Sequence, residues 1–299
     1  ENNVIEVTQN RVGVTIMDGK GYGRNMVDCP NYWHGTNDSE WAQNSNWTDN
    51  YVPAEGEDIE FATSDNNSGS IQGMSGQGAG QGAAKEDLHL DNVNHSGSGG
   101  RIIGDLINKS DKNLVVTTEN QLTINGKVRD DNTGIIVVKA DSLKASGTLL
   151  FKEPTNNPNV NARVEFYNKA FTCPNCGFYR KQWQYFGIPV QSASFPYLTP
   201  QVETINKWME PTNGNKWVAL NPANTSLDPF MGYEINNSNT TKPTNIYEFA
   251  GTLNVDNANV ALTKTANVNY SGMNLIANSF TAAIPISEEA ISYSDNSWD

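Results

Sequence analysis

Short apolar runs recur along residues 58 to 167, separated by polar turns: Ile59-Glu60-Phe61, Leu88-His89-Leu90, Ile102-Ile103, Leu114-Val115-Val116, Leu122-Thr123-Ile124, Ile135-Ile136-Val137-Val138, Leu149-Leu150-Phe151 and Val164-Glu165-Phe166. Each is too short for a helix and rich in β-branched residues, so each reads as a strand. Asn125-Gly126 and Asp131-Asn132-Thr133-Gly134 supply the turns between them. The spacing is loose and carries no strict repeat signature. It fits a degenerate parallel β-helix, and an irregular sandwich also accommodates it.

Flanking segments extend this pattern. Alternation over Val4-Ile5-Glu6-Val7 and Val12-Gly13-Val14-Thr15-Ile16 predicts an edge strand or hairpin before Gly19. The tract Ser68 to Ala84 is rich in Gly, Gln and Ser, buries almost nothing apolar and reads as a mobile excursion between two strands. It lacks the Gly-Lys-Ser/Thr ending of a phosphate-binding loop.

After Tyr167 the texture shifts to aromatics and prolines. Val202, Ile205 and Met209 stand at helical spacing behind Thr199-Pro200, which predicts one short helix between Thr199 and Glu210. Strands are expected to resume at Lys216–Leu220, Gly232–Ile235, Ile246–Phe249, Gly251–Val255, Val260–Leu262 and Met273–Ile276. Six turn-bounded strands pack most economically as a sandwich. The expected protein is therefore all-β: residues 1–168 form a right-handed parallel β-helix-like module and residues 169–299 an antiparallel β-sandwich. No sheet should run from one half into the other.

Composition agrees, with 37% hydrophobic and only 18% charged residues in a chain of 299. The formal charge of -13 repels a phosphate backbone and an anionic membrane surface, so nucleic acid is not an expected partner. No apolar run is long enough to span a bilayer, and the start at Glu1 lacks the regions of a signal peptide, so an exported form would be a processed one. Three cysteines, Cys29, Cys173 and Cys176, cannot all pair within one chain. Cys173-Pro-Asn-Cys176 suits a local disulfide or two idle thiols better than half of a zinc site or a redox dithiol, since no second such pair follows.

Candidate chemistry is sparse. His34, His89 and His95 have no nucleophile motif nearby and read as structural or solvated, with His34 also a possible donor to a ligand. Acids gather at Glu55, Glu57 and Asp58, at Asp130 and Asp131, and at Glu288 and Glu289. Of these, Asp130, Asp131 and Asn132 are the candidate calcium ligands; no other cofactor is expected. A pectate-lyase-like or glycoside-hydrolase enzyme needs a base beside such acids, and Arg101, Arg129 and Lys139 are scattered in the sequence. Trp33, Trp41 and Trp47 fall within fifteen positions beside His34. Flat rings at that density either stack on sugars, making these four the candidate ligand-binding residues, or plug the end of the β-helix. Trp183 and Trp217 pose the same alternatives, a buried core being favoured.

Two stretches resemble large secreted surface proteins of Bacteroidetes-type bacteria. Tyr32-Trp33-His34-Gly35, Trp41, Asn46-Trp47, Val52-Pro53 and Asp58-Ile59 are similar to the opening of their β-helical modules. Trp183 through Gly187-Ile188-Pro189, Trp217, Gly232-Tyr233, Phe249-Ala250-Gly251-Thr252-Leu253-Asn254 and Gly272-Met273-Asn274-Leu275-Ile276-Ala277-Asn278 follow the order of their C-terminal module, with Met273 and Ser279 departing from it. The resemblance implies an exported, surface-displayed protein, often one piece of a longer polypeptide. It also makes Asp141-Ser142-Leu143 a candidate O-glycosylation sequence at Ser142. The expectation is a non-catalytic adhesive or scaffolding protein on the cell surface, whose partner is a host or environmental glycan or a surface protein.

Overall fold

The computed structural model describes residues 31–61, 83–90, 100–130, 133–172, 175, 181–194, 203–221, 226–237 and 246–286. The expected N-terminal hairpin, nearly all of the Gly/Gln/Ser tract, His95, Asp131, Asn132, all three cysteines and Glu288-Glu289 lie outside the described residues.

From Asn31 the chain winds as a parallel β-solenoid of about four turns. Its strands, in chain order, are β1 (Asn31–Trp33), β2 (Ile59–Phe61), β3 (Leu88–Leu90), β4 (Arg101–Ile103), β5 (Leu106–Asn108), β6 (Leu114–Val116), β7 (Gln121–Ile124), β8 (Val128–Asp130), β9 (Ile136–Val138), β10 (Thr148–Phe151) and β11 (Asn161–Tyr167). They stack as three parallel faces, in the orders β1-β2-β5-β8, β10-β7-β4 and β11-β9-β6-β3. Three of these strands, β1, β5 and β8, escape the hydrophobic pattern, because Asn31, Asn108, Arg129 and Asp130 dilute their apolar positions.

In-register stacking explains why runs of three residues suffice. Leu88 lies over Leu114, then Ile136, then Ala162, and Leu90 continues through Val116 and Val138 to Val164, all of them buried. The intervening residues alternate to the opposite side of the strands, as the strand period of two requires; His89 and Arg163 are partly exposed there, while Val115 and Val137 are buried. Burying each such side chain contributes on the order of 1.5–3 kcal/mol, which a three-residue strand cannot gain alone.

Corners are fixed by polar side chains that reach along the solenoid axis. Asp58 Oδ1 accepts the Asp105 N–H at 2.6 Å, and Asp105 Oδ1 accepts the Lys127 N–H at 2.7 Å one coil on. At another corner Asp87 Oδ1 takes the Asn113 N–H at 2.8 Å and Asn113 Oδ1 takes that of Ile135 at 3.1 Å. Asn157 Oδ1 closes the series on the Val128 N–H at 2.8 Å. Glycine is required beside the first ladder: a Cβ on Gly104 would lie 2.0 Å from Asp58 Oδ1, and one on Gly126 2.0 Å from Asp105 Oδ1.

The second half adds β12 (Phe171–Thr172), β13 (Lys181–Gln182), β14 (Gln184–Phe186), β15 (Ala193–Ser194), β16 (Glu203–Trp208), β17 (Trp217–Ala219), β18 (Ser226–Leu227), β19 (Tyr233–Asn237) and β20 (Ile246–Thr252). An antiparallel sheet runs β14-β19-β16-β17, with small β12-β13 and β15-β18 pairs beside it. The fold class is thus nearly all-β, a solenoid followed by an antiparallel sheet.

Three expectations are corrected. The two halves do share a sheet, because β20 pairs antiparallel with β11 from Asn161–Thr252 to Tyr167–Ile246 and so covers the last solenoid edge. Phe166, Phe186, Tyr247 and Phe249 seal that junction, with Phe166 and Phe186 ring centres 5.4 Å apart. Within the expected Thr199–Glu210 helix, of which residues 199–202 lie outside the described residues, Glu203–Trp208 is strand β16, whose Ile205 is buried while Thr204 is exposed; β-branched residues and pairing on both sides override the helical spacing. Val260–Leu262 and Met273–Ile276 form no regular strands: Val260 and Leu262 are exposed, and the Asn274 side chain accepts from the Thr263 N–H and donates to its carbonyl, as a neighbouring strand would.

Candidate functional site

Trp33, Trp41 and Trp47 are fully buried at the first coil. Trp47 packs edge-on against both others, with ring centres 5.0 and 4.8 Å away. The indole N–H of Trp33 donates to the Glu86 carbonyl at 2.9 Å and that of Trp47 to the Trp41 carbonyl at 2.8 Å. Buried rings have no face on which a sugar can stack, so glycan stacking does not pass to these positions; they fill the interior of the first coil. His34, half-buried beside them, pairs its Nε2 with Thr48 Oγ1 at 3.0 Å. His89 lies at the outward position of β3, where its backbone N–H bonds Ser39.

The acidic and basic candidates are dispersed. Glu57 accepts from the Ala54 N–H at 2.9 Å and from the Tyr51 hydroxyl, and Asp58 belongs to the corner ladder. Asp130 sits on the last residue of β8. Arg101 occupies an inward register above Leu122, its guanidinium 4.7 Å over the Trp41 ring, and burial lowers its pKa to about 10. Arg129 bridges Asp105 at 3.0 Å, and Lys139 bridges the buried Glu165. The three bases therefore serve separate structural partners. Among the described residues no group of three or more His, Cys, Asp and Glu side chains is placed to hold a metal ion. Ser142 stands in a turn where Asp141 Oδ1 accepts from the Leu143 and Lys144 N–H groups at 2.8 and 3.2 Å, depressing the Asp141 pKa and leaving Leu143 94% exposed.

A different group of aromatics reaches solvent, on the outer face of the antiparallel sheet. Register places Tyr185, Glu234, Asn206 and Ala219 in one row across β14, β19, β16 and β17, and Trp208 opposite Trp217 in the next. Tyr185 and Trp217 start from the two edge strands, yet their rings lean together, 6.0 Å between centres and 18° from parallel. Trp208 meets Trp217 edge-on at 5.3 Å and Tyr270 at 6.0 Å. Tyr185 and Tyr270 are 65% and 62% exposed, while Trp208 and Trp217 are half-buried. This corrects the expectation that Trp217 belongs to a buried core.

Polar groups lie in the same row. Glu234 is buried, and Asn206 Nδ2 donates to its Oε1 at 2.6 Å. Burial raises the Glu234 pKa against the opposing effect of that hydrogen bond. Glycines just after β14 and just before β19 let residues 275–277 cross: a Cβ on Gly232 would meet Leu275 at 2.4 Å and one on Gly187 would meet Ala277 at 2.4 Å. The crossing segment is held by the Trp208 indole, which donates to the Met273 carbonyl at 2.6 Å. Sequence reading overlooks Glu234 and Trp208, which join Tyr185 only through cross-strand pairing, and Tyr270, which reaches Trp208 from a turn.

No protein-family model matches the chain, and no solved structure matches it. Across a match of 285 aligned positions that covers 93% of the chain, it is 49% identical to a Porphyromonas gingivalis protein named minor fimbrium subunit Mfa5. The chain spans 22% of that protein's length, so the likeness joins it to one portion of a much longer surface protein of a Bacteroidetes species.

Proposed function

We propose that this chain is an adhesive or scaffolding segment of an exported, fimbria-associated surface protein, without catalytic activity, and that its specific ligand is a glycan. The observation that carries the reading is the identity of 49% to a fimbrium subunit, sustained over 93% of the chain. The architecture supports it. A solenoid stacked in register and closed by corner hydrogen bonds is a stiff spacer, and the antiparallel sheet at its end presents exposed rings outward. The dispersed acids and bases suit recognition better than proton transfer, which needs both groups at one reacting centre.

Incubating the purified chain with neutral and acidic polysaccharides, with and without calcium, tests the reading. Saturable retention on a polysaccharide with no change in its chain length is the expected result. Depolymerisation that stops on chelation would replace the adhesive reading with a lyase.

A further inference from the structure

We propose that the outer face of the β14-β19-β16-β17 sheet is a glycan subsite for uncharged pyranose units, which stack on Tyr185 and Trp217 at the side of the Glu234–Asn206 pair. The inference rests on the carbohydrate reading above and deepens it by naming the site and the class of sugar.

Ring placement comes first. Tyr185 is 65% exposed although it arises mid-strand in β14, and the near-parallel Trp217 ring stacks against it, so the two form one stacked aromatic strip rather than two isolated rings. Trp208 packs edge-on against Trp217 at 5.3 Å and against Tyr270 at 6.0 Å, and so buttresses the pair from the side. The C–H face of a pyranose is apolar and flat, which is what such a strip can cover.

Chemistry at the side of the strip narrows the class. A sugar hydroxyl both donates and accepts, and Asn206, half-buried in the same row as Tyr185, offers its amide Oδ1 as an acceptor while its Nδ2 is tied to the buried Glu234 carboxyl. Their mutual hydrogen bond keeps the pair ordered before a ligand arrives. A carboxylate there, in a chain of net charge -13, opposes a uronic or sialic acid. Tyr185, Trp208 and Trp217 also stand on paired strands rather than on a loop, so stacking costs little ordering entropy.

The test is binding of the full chain to an array of mannose-, galactose- and N-acetylglucosamine-terminated oligosaccharides beside sialylated and uronic ones, repeated with Tyr185→Ala, Trp217→Ala and Trp217→Phe. Melting temperatures establish that each variant is folded. Neutral glycans are expected to bind the native chain, to lose about tenfold in affinity with either alanine variant and to be largely retained by Trp217→Phe. Neutral-glycan binding that is unchanged in both alanine variants overturns the site while leaving the carbohydrate reading intact. Binding confined to acidic glycans, or to a proline-rich peptide, overturns the assigned class. An array with no bound glycan at all removes the carbohydrate reading and the site with it.

Discussion

The carboxylate of Asp58 accepts the backbone N–H of Asp105 at 2.6 Å although the two residues are 47 positions apart. The same device recurs 22 positions on, where Asp105 accepts from Lys127. Replacing Asp105 with Ala leaves the Lys127 N–H without that acceptor and removes the Arg129 bridge. A loss of about 1–3 kcal/mol in urea unfolding is expected. Gly126→Ala should cost at least as much, since its Cβ would occupy the place of the Asp105 carboxylate. Asp111→Ala, at an exposed carboxylate 3.9 Å from Lys112, should stay within about 0.5 kcal/mol.

The two aromatic groups should separate cleanly by mutation. Trp47→Ala empties the centre of the first coil and is expected to destabilise by about 3–5 kcal/mol. Tyr185→Ala removes an exposed ring and should shift stability by less than about 1 kcal/mol. Thermal melts of the pair check this; equal effects would mean that the Tyr185 ring is part of a packed core.

Much of the solenoid is legible because its inward residues are β-branched or Leu and repeat within each short run, as at Leu114-Val115-Val116 and Ile136-Val137-Val138. Its coil length is harder to see. The Asp105 and Asn113 ladders each step by 22 residues, but the step from Asp87 to Asn113 is 26 and that from Asp58 to Asp105 is 47, so no fixed period survives. The sharing of a sheet between β11 and β20 is a long-range pairing with no local signal. The same holds for the exposed strip: Trp217 is visible in sequence, but whether it faces core or solvent depends on its partner Trp208 in β16, a strand that the helical spacing of Ile205 and Met209 conceals. The tryptophans at 33, 41 and 47 show the reverse, since dense aromatics announce importance without saying whether the rings are buried.

Glu210 supplies a pH dependence. Its carboxylate accepts from the Gly272 N–H at 2.8 Å, the Thr265 N–H at 2.9 Å and the Thr265 hydroxyl at 2.8 Å, which hold its pKa down from 4.5 to about 2, with Gly272 the largest contributor. A depressed carboxylate stabilises the fold fully above its ordinary pKa and loses that contribution as pH falls through the folded value. Hydrogen exchange corrected for intrinsic rates should therefore show residues 263 to 274 loosening between pH 4.5 and about 2. Glu210→Gln should be loose there already at neutral pH. A profile that is the same in both proteins would show that the carboxylate does not tie this segment down.

Ser142 stands half-buried in the Asp141 turn, next to a Leu143 that is 94% exposed. Protein recovered from its own cells is expected to carry a glycan at this serine, seen as added mass that is lost in Ser142→Ala. Native protein whose mass equals that of the bare chain would remove Ser142 as a modification site.

Surface display as part of a fimbria-associated protein is the claim on which the rest depends, and immunogold electron microscopy of intact, unpermeabilised cells tests it most directly. Antibody raised against this chain is predicted to decorate the outer surface and its filaments, with label abolished by deletion of the coding segment. Label that appears only after permeabilisation, with none on the surface of intact cells, would contradict the account.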